Sequence, residues 1–154
     1  MQGRPQPNDR RMQHEQMPKR QYEKLTEDNY VDLAEQAIDD LIARSNVNRN
    51  NIPQVVSTSK IRNLLAMTAD IYNEAVNYSE EELPMEIAGR INYLRVRMIY
   101  EAGRDTKVKA LVESAQLLEH IREINKNRKQ YILFSRYMES LVAFRKFKVR
   151  DRDD

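Results

Sequence analysis

The sequence contains no cysteine and no tryptophan, and it has only three glycines and two histidines in 154 residues. Without cysteine there can be no disulfide, no thiolate zinc site and no cysteine nucleophile. Three glycines are too few for a Gly-rich phosphate-binding loop or for a strand-rich fold with many tight turns. These absences exclude several classes of enzyme and leave a helical fold as the expectation.

The charges nearly cancel over the whole chain but not along it. The total is 26 Lys and Arg against 24 Asp and Glu, a net charge of +2. Residues 1–24 have six bases and three acids, residues 25–89 have four bases and twelve acids, and residues 90–154 have sixteen bases and nine acids. Such asymmetry indicates a polyanion partner for one part and a protein partner for another. The alternative is that acidic and basic helices neutralise each other within one bundle.

The length allows one domain with a tail. No apolar run approaches the roughly 18 residues of a membrane span, and residues 1–24 lack the apolar region of a secretory signal. We therefore predict a cytoplasmic protein with no membrane partner. Residues 1–24 are polar and contain three prolines, which predicts a disordered basic extension. A helical domain is expected over residues 25–150, followed by a short tail at residues 151–154.

The periodicity of apolar residues predicts an all-α, compact single-domain bundle of about five helices. Thr26 is the expected cap of the first helix. One face of that helix is acidic, with carboxylates at Asp28, Asp32, Glu35 and Asp39. Because no histidine accompanies them, a solvated face or a partner-binding surface is favoured over a metal site.

Basic residues stand at two notable places in the second and third helices. Lys60 and Arg62 follow the serine-rich cap of the second helix, although bases at a helix N-terminus oppose its macrodipole. They are either a phosphate grip or ordinary surface bases. In the third helix Arg90, Arg97 and Arg104 lie seven residues apart and therefore on one side. Such a stripe is typical of phosphate contacts.

The sequence also predicts where the third helix ends, where the fourth begins and which side of the fourth is exposed. Gly103 is the expected left-handed stop of the third helix, and Asp105 or Thr106 caps the fourth. On the fourth helix His120 lies opposite the apolar seam and is expected to be exposed. In the last helix the aromatic residues are either core or a base-stacking surface, and their spacing favours core.

No group of residues carries catalytic chemistry. Neither His14 nor His120 has a nucleophile or a metal ligand at a meaningful spacing, and there is no zinc, Walker or calcium motif. We predict no catalytic residue, no metal site and no cofactor.

Three strings follow one another along the chain: residues 57–65 (STSKIRNLL), 93–105 (YLRVRMIYEAGRD) and 134–144 (FSRYMESLVAF). In order and spacing they resemble the small subunit of the type III-A CRISPR effector, the Csm complex. The resemblance spans roughly residues 25–148. It implies a non-catalytic helical subunit that stacks head to tail in several copies, beside the backbone and large subunits of the complex. It also implies contact with the phosphates of the guide RNA and target RNA duplex, without base reading.

The residues that match this pattern as RNA contacts are Lys60, Arg62 and Arg104, with Arg97 and Arg136 as further candidates. Two features depart from the pattern. Family members begin near Leu25, so residues 1–24 are an extension, and Phe144 stands where tyrosine is common. The alternative function is a helical protein–protein adaptor whose acidic first helix is the binding surface.

Overall fold

A computed structural model describes residues 20–150, which form six α-helices. They are α1 (Tyr30–Arg44), α2 (Thr58–Val76), α3 (Met85–Arg104), α4 (Thr106–Ser114), α5 (Leu117–Ile124) and α6 (Arg128–Lys148). Within the described range the only β-type pairings are two isolated bridges, Val47 with Pro53 and Glu82 with Asn127. The all-α prediction is confirmed, with one helix more than expected.

Helix α6 is the central element of the bundle. It packs against α1, α2 and α5, and nine of its 21 residues are buried. The Tyr131 hydroxyl donates to the Thr68 carbonyl of α2 at 2.5 Å, and the Tyr137 hydroxyl donates to the Ala115 carbonyl at 2.9 Å. The helix is therefore buried along the sides that these neighbours cover, while Lys129, Arg136 and Glu139 stay exposed. The aromatic residues Phe134 and Tyr137 are core, as their spacing indicated.

Helices α3 and α4 pack mainly against the helices other than α6. Helix α3 packs against α2, α4 and α5, and α4 also contacts α1. The Arg128 guanidinium donates to the carbonyls of Ala75 and Val76, so it satisfies the C-terminal end of α2. The inner face of α3 is apolar, with Ile87, Ile91, Leu94 and Met98 all buried.

The predicted fourth helix is in fact two helices, α4 and α5. The break lies at Gln116, whose φ of 52° is left-handed and cannot continue a right-handed helix. The break resets the helical phase, so Leu117 and His120 turn inward. The prediction that His120 is exposed is therefore wrong, since it is only 2% exposed.

Two helix ends also differ from their predicted positions. Helix α1 begins at Tyr30, after a turn in which the Thr26 hydroxyl accepts from the Asn29 amide and Asn29 Oδ1 accepts from the Thr26 amide. The predicted stop at Gly103 is wrong, because α3 continues to Arg104 and Gly103 has no positive φ. The extended residue Asp105 ends α3 instead.

The segment before α1 lies against the bundle from Arg20 onward. Arg20 forms an ion pair with Asp40 at 2.9 Å, and the Gln116 side chain donates to the Arg20 carbonyl at 3.1 Å. The Tyr22 ring lies 5.1 Å from the ring of His120. Residues 20–24, which the sequence assigned to the tail, therefore contact the domain. The tails predicted at residues 1–19 and 151–154 lie outside the described residues.

No helix within residues 20–150 is both long enough and apolar enough to cross a membrane.

Candidate nucleic-acid interface

The N-terminus of α2 presents Lys60 to the junction between α3 and α4. The Ser57 hydroxyl accepts from the Lys60 amide at 3.3 Å, which confirms the predicted cap and fixes the start of the helix. The Lys60 ammonium forms an ion pair with the Asp105 carboxylate. Since α2 and α3 pack together, this pair joins the start of one helix to the end of the other.

Asp105 has two roles at that junction. Its Oδ1 accepts from the Lys107 amide at 2.9 Å and from the Val108 amide at 3.4 Å, so it caps α4. The hydrogen bond from Lys60 is the main cause that lowers the pKa of Asp105, and the two backbone bonds lower it further. The carboxylate is therefore held in its charged form beside Lys60 and Arg104.

The arginines of α3 lie along one edge, as the seven-residue spacing predicted. Arg97 contacts Glu101 at 3.3 Å, and Arg104 lies 4.0 Å from the same carboxylate. Both guanidinium groups also lie over the Tyr100 ring, at 5.5 and 5.8 Å from its centroid. Arg90 lies further along the helix and pairs with Glu74 of α2.

These contacts gather three of the five candidate residues. Lys60, Arg97 and Arg104 lie along the side of α3 that faces α2, and we call them the basic edge. Their side chains are 54%, 41% and 62% exposed. Arg62 is exposed but lies about 200° around α2 from Lys60. Arg136 is exposed on α6, which is a different helix from those that carry the basic edge.

Each base of the basic edge already has a carboxylate partner in the free chain. Ion pairs with side chains this exposed contribute little to stability. A phosphate can therefore replace Asp105 or Glu101 as the partner at small cost to the fold, and the guanidinium groups suit it well.

The acidic face of α1 is neutralised at its C-terminal half by the chain itself. The Lys148 ammonium lies 2.6 Å from Asp39 and 3.0 Å from Glu35. The hydrogen bond to Asp39 is the main cause that raises the pKa of Lys148, and Glu35 adds to it. Asp32 in the first turn of α1 and Asp28 in the turn before it are exposed. The acidic helix is therefore neutralised within the bundle only at its C-terminal half.

Two features were missed in the sequence. His120 is buried between the rings of Tyr22 and Tyr137, and burial lowers its pKa to about 4, with the nearby Arg20 charge adding to the effect. Helix α3 carries a second, exposed apolar face, which its spacing of large residues could have revealed. Within residues 20–150 no group of three or more potential metal ligands is present.

Comparison with known proteins gives one consistent family. The sequence model of the family described as Csm2 Type III-A matches residues 35–150. A CRISPR system Cms protein Csm2 of Streptococcus thermophilus is 43% identical over 123 residues, which cover 80% of this chain and 93% of that protein. A protein of the same name from Mycobacterium tuberculosis is 38% identical over 92 residues, covering 60% of this chain and 74% of that protein. A third, from Enterococcus italicus, is 32% identical over 94 residues, covering 60% and 67%.

Proposed function

Because the chain belongs to the Csm2 family of type III-A CRISPR systems, we propose that it is a non-catalytic structural subunit that holds RNA in the effector complex. In this proposal several copies lie along the duplex of guide RNA and target RNA. Each copy touches the phosphate backbone, and base pairing with the guide supplies the sequence specificity, as in other RNA-guided systems.

The observation that carries the RNA-binding part is the basic edge. Its three bases come from two helices and are 41–62% exposed, and Arg97 and Arg104 share one side of α3. Arg97 and Arg104 are about 10 Å apart along the helix axis, far enough to engage separate phosphates. Binding of this kind releases counterions, so the affinity is independent of sequence and falls steeply with salt.

The exposed acids at the start of α1 and in the turn before it support the proposed contact between copies. Asp28 and Asp32 remain available to a basic surface of the next copy, whereas Glu35 and Asp39 are engaged by Lys148. A head-to-tail contact between two different surfaces does not close on itself and therefore builds a filament. The backbone and large subunits of the complex are the other expected partners.

Purification of the tagged full chain from cells that carry a type III-A system tests the proposal. We expect short guide RNA and several larger subunits to be recovered with it. Recovery of protein partners without RNA would favour the adaptor function instead. Recovery of the free chain alone would contradict both.

Charge reversal on α1 tests the contact between copies. The Asp28→Lys, Asp32→Lys variant should lower the number of copies per purified complex, measured by native mass spectrometry, while its thermal unfolding is little changed. The matched control reverses two exposed acids elsewhere, Asp70 and Glu80, and should keep the full number. An equal number of copies in both variants would refute stacking through α1.

A further inference from the structure

Two clefts lie between the loop that joins α1 to α2 and the start of α4. The described residues that line the larger, of about 560 Å³, include three acids and three bases, so its charges balance. Those that line the smaller, of about 480 Å³, include three bases, Lys60, Lys107 and Arg145, and one acid, Asp105. Both volumes suit a small ligand. The excess of positive charge makes the smaller one, which we call the basic cleft, a candidate site for an anion.

The bases of the basic cleft differ in their burial. Arg145 is only 2% exposed, and its Nε donates to the Val56 carbonyl at 3.0 Å, so its guanidinium is fixed within the bundle. Lys60 and Lys107 are exposed and lie in the first turns of α2 and α4. A ligand in the cleft therefore meets two exposed ammonium groups and one buried positive charge.

Asp105 already acts as an internal anion in this positive region. Its carboxylate pairs with Lys60 and accepts from the Lys107 amide at 2.9 Å. Because the Lys60 side chain is 54% exposed, the ion pair contributes little to stability. A phosphate has more negative charge and more acceptor oxygens than a carboxylate. It can therefore take Lys60 as its partner while Asp105 continues to cap α4.

The loop between α1 and α2 forms another wall of the cleft, and its own hydrogen bonds hold its shape. Asn48 Oδ1 accepts from the amides of Asn50 and Ile52 at 2.9 and 3.0 Å. The Asn51 amide donates to the Asn48 carbonyl at 3.0 Å, and the left-handed φ of 61° at Asn51 is one that asparagine tolerates. The loop therefore presents a defined surface to the cleft.

This wall offers both apolar and polar groups to a ligand. Ile52 and Pro53 are half-buried, and both line the cleft. Asn50 also lines it, and no hydrogen bond within residues 20–150 engages its carboxamide. A carboxamide has an acceptor and two donors, so it can pair with the edge of any nucleobase. Apolar side chains pack against the face of a base.

We propose that the basic cleft binds a single nucleotide. Its phosphate lies at Lys60 and Lys107, and the face of its nucleobase lies against Ile52 and Pro53. Asn50 meets the edge of the base. The two parts of a nucleotide, an anion and a polar planar ring, thus match the two kinds of wall. A carboxamide that pairs with any base gives little preference among the four bases.

The nucleotide has two possible sources, which share this chemistry. One is a free nucleotide in solution. The other is an unpaired nucleotide of an RNA strand, because Lys60 belongs both to the cleft and to the basic edge. The second source rests on the function proposed above, and the first does not.

Titration of the isotope-labelled full chain with AMP, adenosine and inorganic phosphate, followed by NMR, tests the proposal. We expect AMP to bind with a Kd of about 0.1–1 mM, since its phosphate must displace Asp105 from Lys60. Adenosine and inorganic phosphate each use one part of the cleft and should bind at least about tenfold more weakly. Equal affinity for AMP and inorganic phosphate would overturn the proposal, as would the absence of AMP binding at about 10 mM.

Two single variants test the two ends of the cleft. Lys107→Ala and Asn50→Ala should each weaken AMP binding by about threefold to tenfold. Only Lys107→Ala should also weaken the binding of inorganic phosphate. The matched controls are Lys109→Ala and Asn73→Ala, at exposed residues outside the cleft, and they should keep the wild-type Kd. Equal Kd values for the variants and their controls would contradict the assigned contacts.

A variant that gains affinity guards against loss through misfolding. Asp105→Asn keeps a cap for α4 but removes the carboxylate that competes for Lys60. We therefore expect it to bind AMP about threefold to tenfold more tightly than the wild type. An unchanged Kd would show that the phosphate does not lie at Lys60.

Target-RNA binding by the assembled complex identifies the source of the nucleotide. The double variant at Asn50 and Lys107 is compared with the double control at Asn73 and Lys109, and the basic edge is intact in both. If an RNA nucleotide enters the cleft, the double variant binds RNA more weakly than the control. If a free nucleotide enters it, the two bind RNA equally, although the double variant no longer binds AMP. Equal binding of both AMP and RNA by the two would overturn the proposal without bearing on the basic edge.

Discussion

The burial of His120 should make the stability of the fold depend on pH. In the folded chain its pKa is lowered from 6.5 to about 4, mainly because burial disfavours the charged imidazolium. In the unfolded chain it keeps the ordinary value. As the pH falls from 6.5 to 4, the unfolded state therefore binds a proton that the folded state does not, and the free energy of unfolding decreases. The full shift corresponds to about 3 kcal/mol.

Urea unfolding between pH 7.5 and 4 measures this effect. We expect the wild-type free energy of unfolding to fall by about 2–3 kcal/mol more than that of His120→Phe over this range. The comparison uses the change in the free energy of unfolding with pH. A change in packing caused by the phenylalanine shifts that free energy equally at every pH and leaves the slope unaltered. The carboxylates give the same pH dependence to both proteins, so their contribution cancels in the comparison.

The second histidine provides the control. His14→Phe makes the same chemical change in the predicted N-terminal extension and should keep the wild-type slope. If His120→Phe retains the wild-type pH dependence, the imidazole is not held neutral by the core and the reasoning fails.

Three further substitutions each test one local feature: an ion pair, a left-handed residue and a buried hydrogen bond. Asp105→Asn keeps a cap for α4 but removes the negative charge beside Lys60, so RNA affinity at low salt should rise about twofold to tenfold in filter binding. Lys126→Gly relieves a left-handed residue with a φ of 64°, and should raise the free energy of unfolding by up to about 1 kcal/mol in urea titrations. Tyr131→Phe removes the buried hydrogen bond to the Thr68 carbonyl, and should lower that free energy by about 1–1.5 kcal/mol.

Periodicity predicted the helices whose two faces differ, and it failed where the backbone changes direction. The buried residues of α1, α2 and α3 follow the 3.6-residue repeat, which is why the sequence predicts these helices. Gln116 carries no sequence signal for a left-handed conformation, since glycine or asparagine is the usual choice there. The break was therefore missed, and so was the inward position of His120.

The candidate site was predicted only in part, for a similar reason. The spacing of Arg97 and Arg104 defines a row within one helix, which a sequence can reveal. The proximity of Lys60 to this row depends on how α2 packs against α3, and periodicity within one helix contains no information on that. The pairing of Lys60 with Asp105 is likewise a tertiary result. Glu101 is different, because it lies four residues after Arg97 and three before Arg104, a spacing that the sequence shows. The exposed apolar residues of α3 also follow the helical repeat, so the sequence pattern contains that second face as well.

The most direct test of the proposed function is target-RNA binding by the assembled complex over a series of salt concentrations. In one complex all three bases of the basic edge are replaced by alanine. The control complex loses the same number of charges at exposed bases elsewhere, at Arg122, Lys126 and Lys129. Two unrelated guide sequences are used for each.

We predict that the complex without the basic edge binds target RNA more weakly by the same factor for both guides. Its plot of log affinity against log salt should also be shallower, because fewer counterions are released per complex. The control should keep the wild-type affinity and slope. If the variant and the wild type give the same affinity and the same slope, the basic edge does not hold the RNA and the proposed function is contradicted.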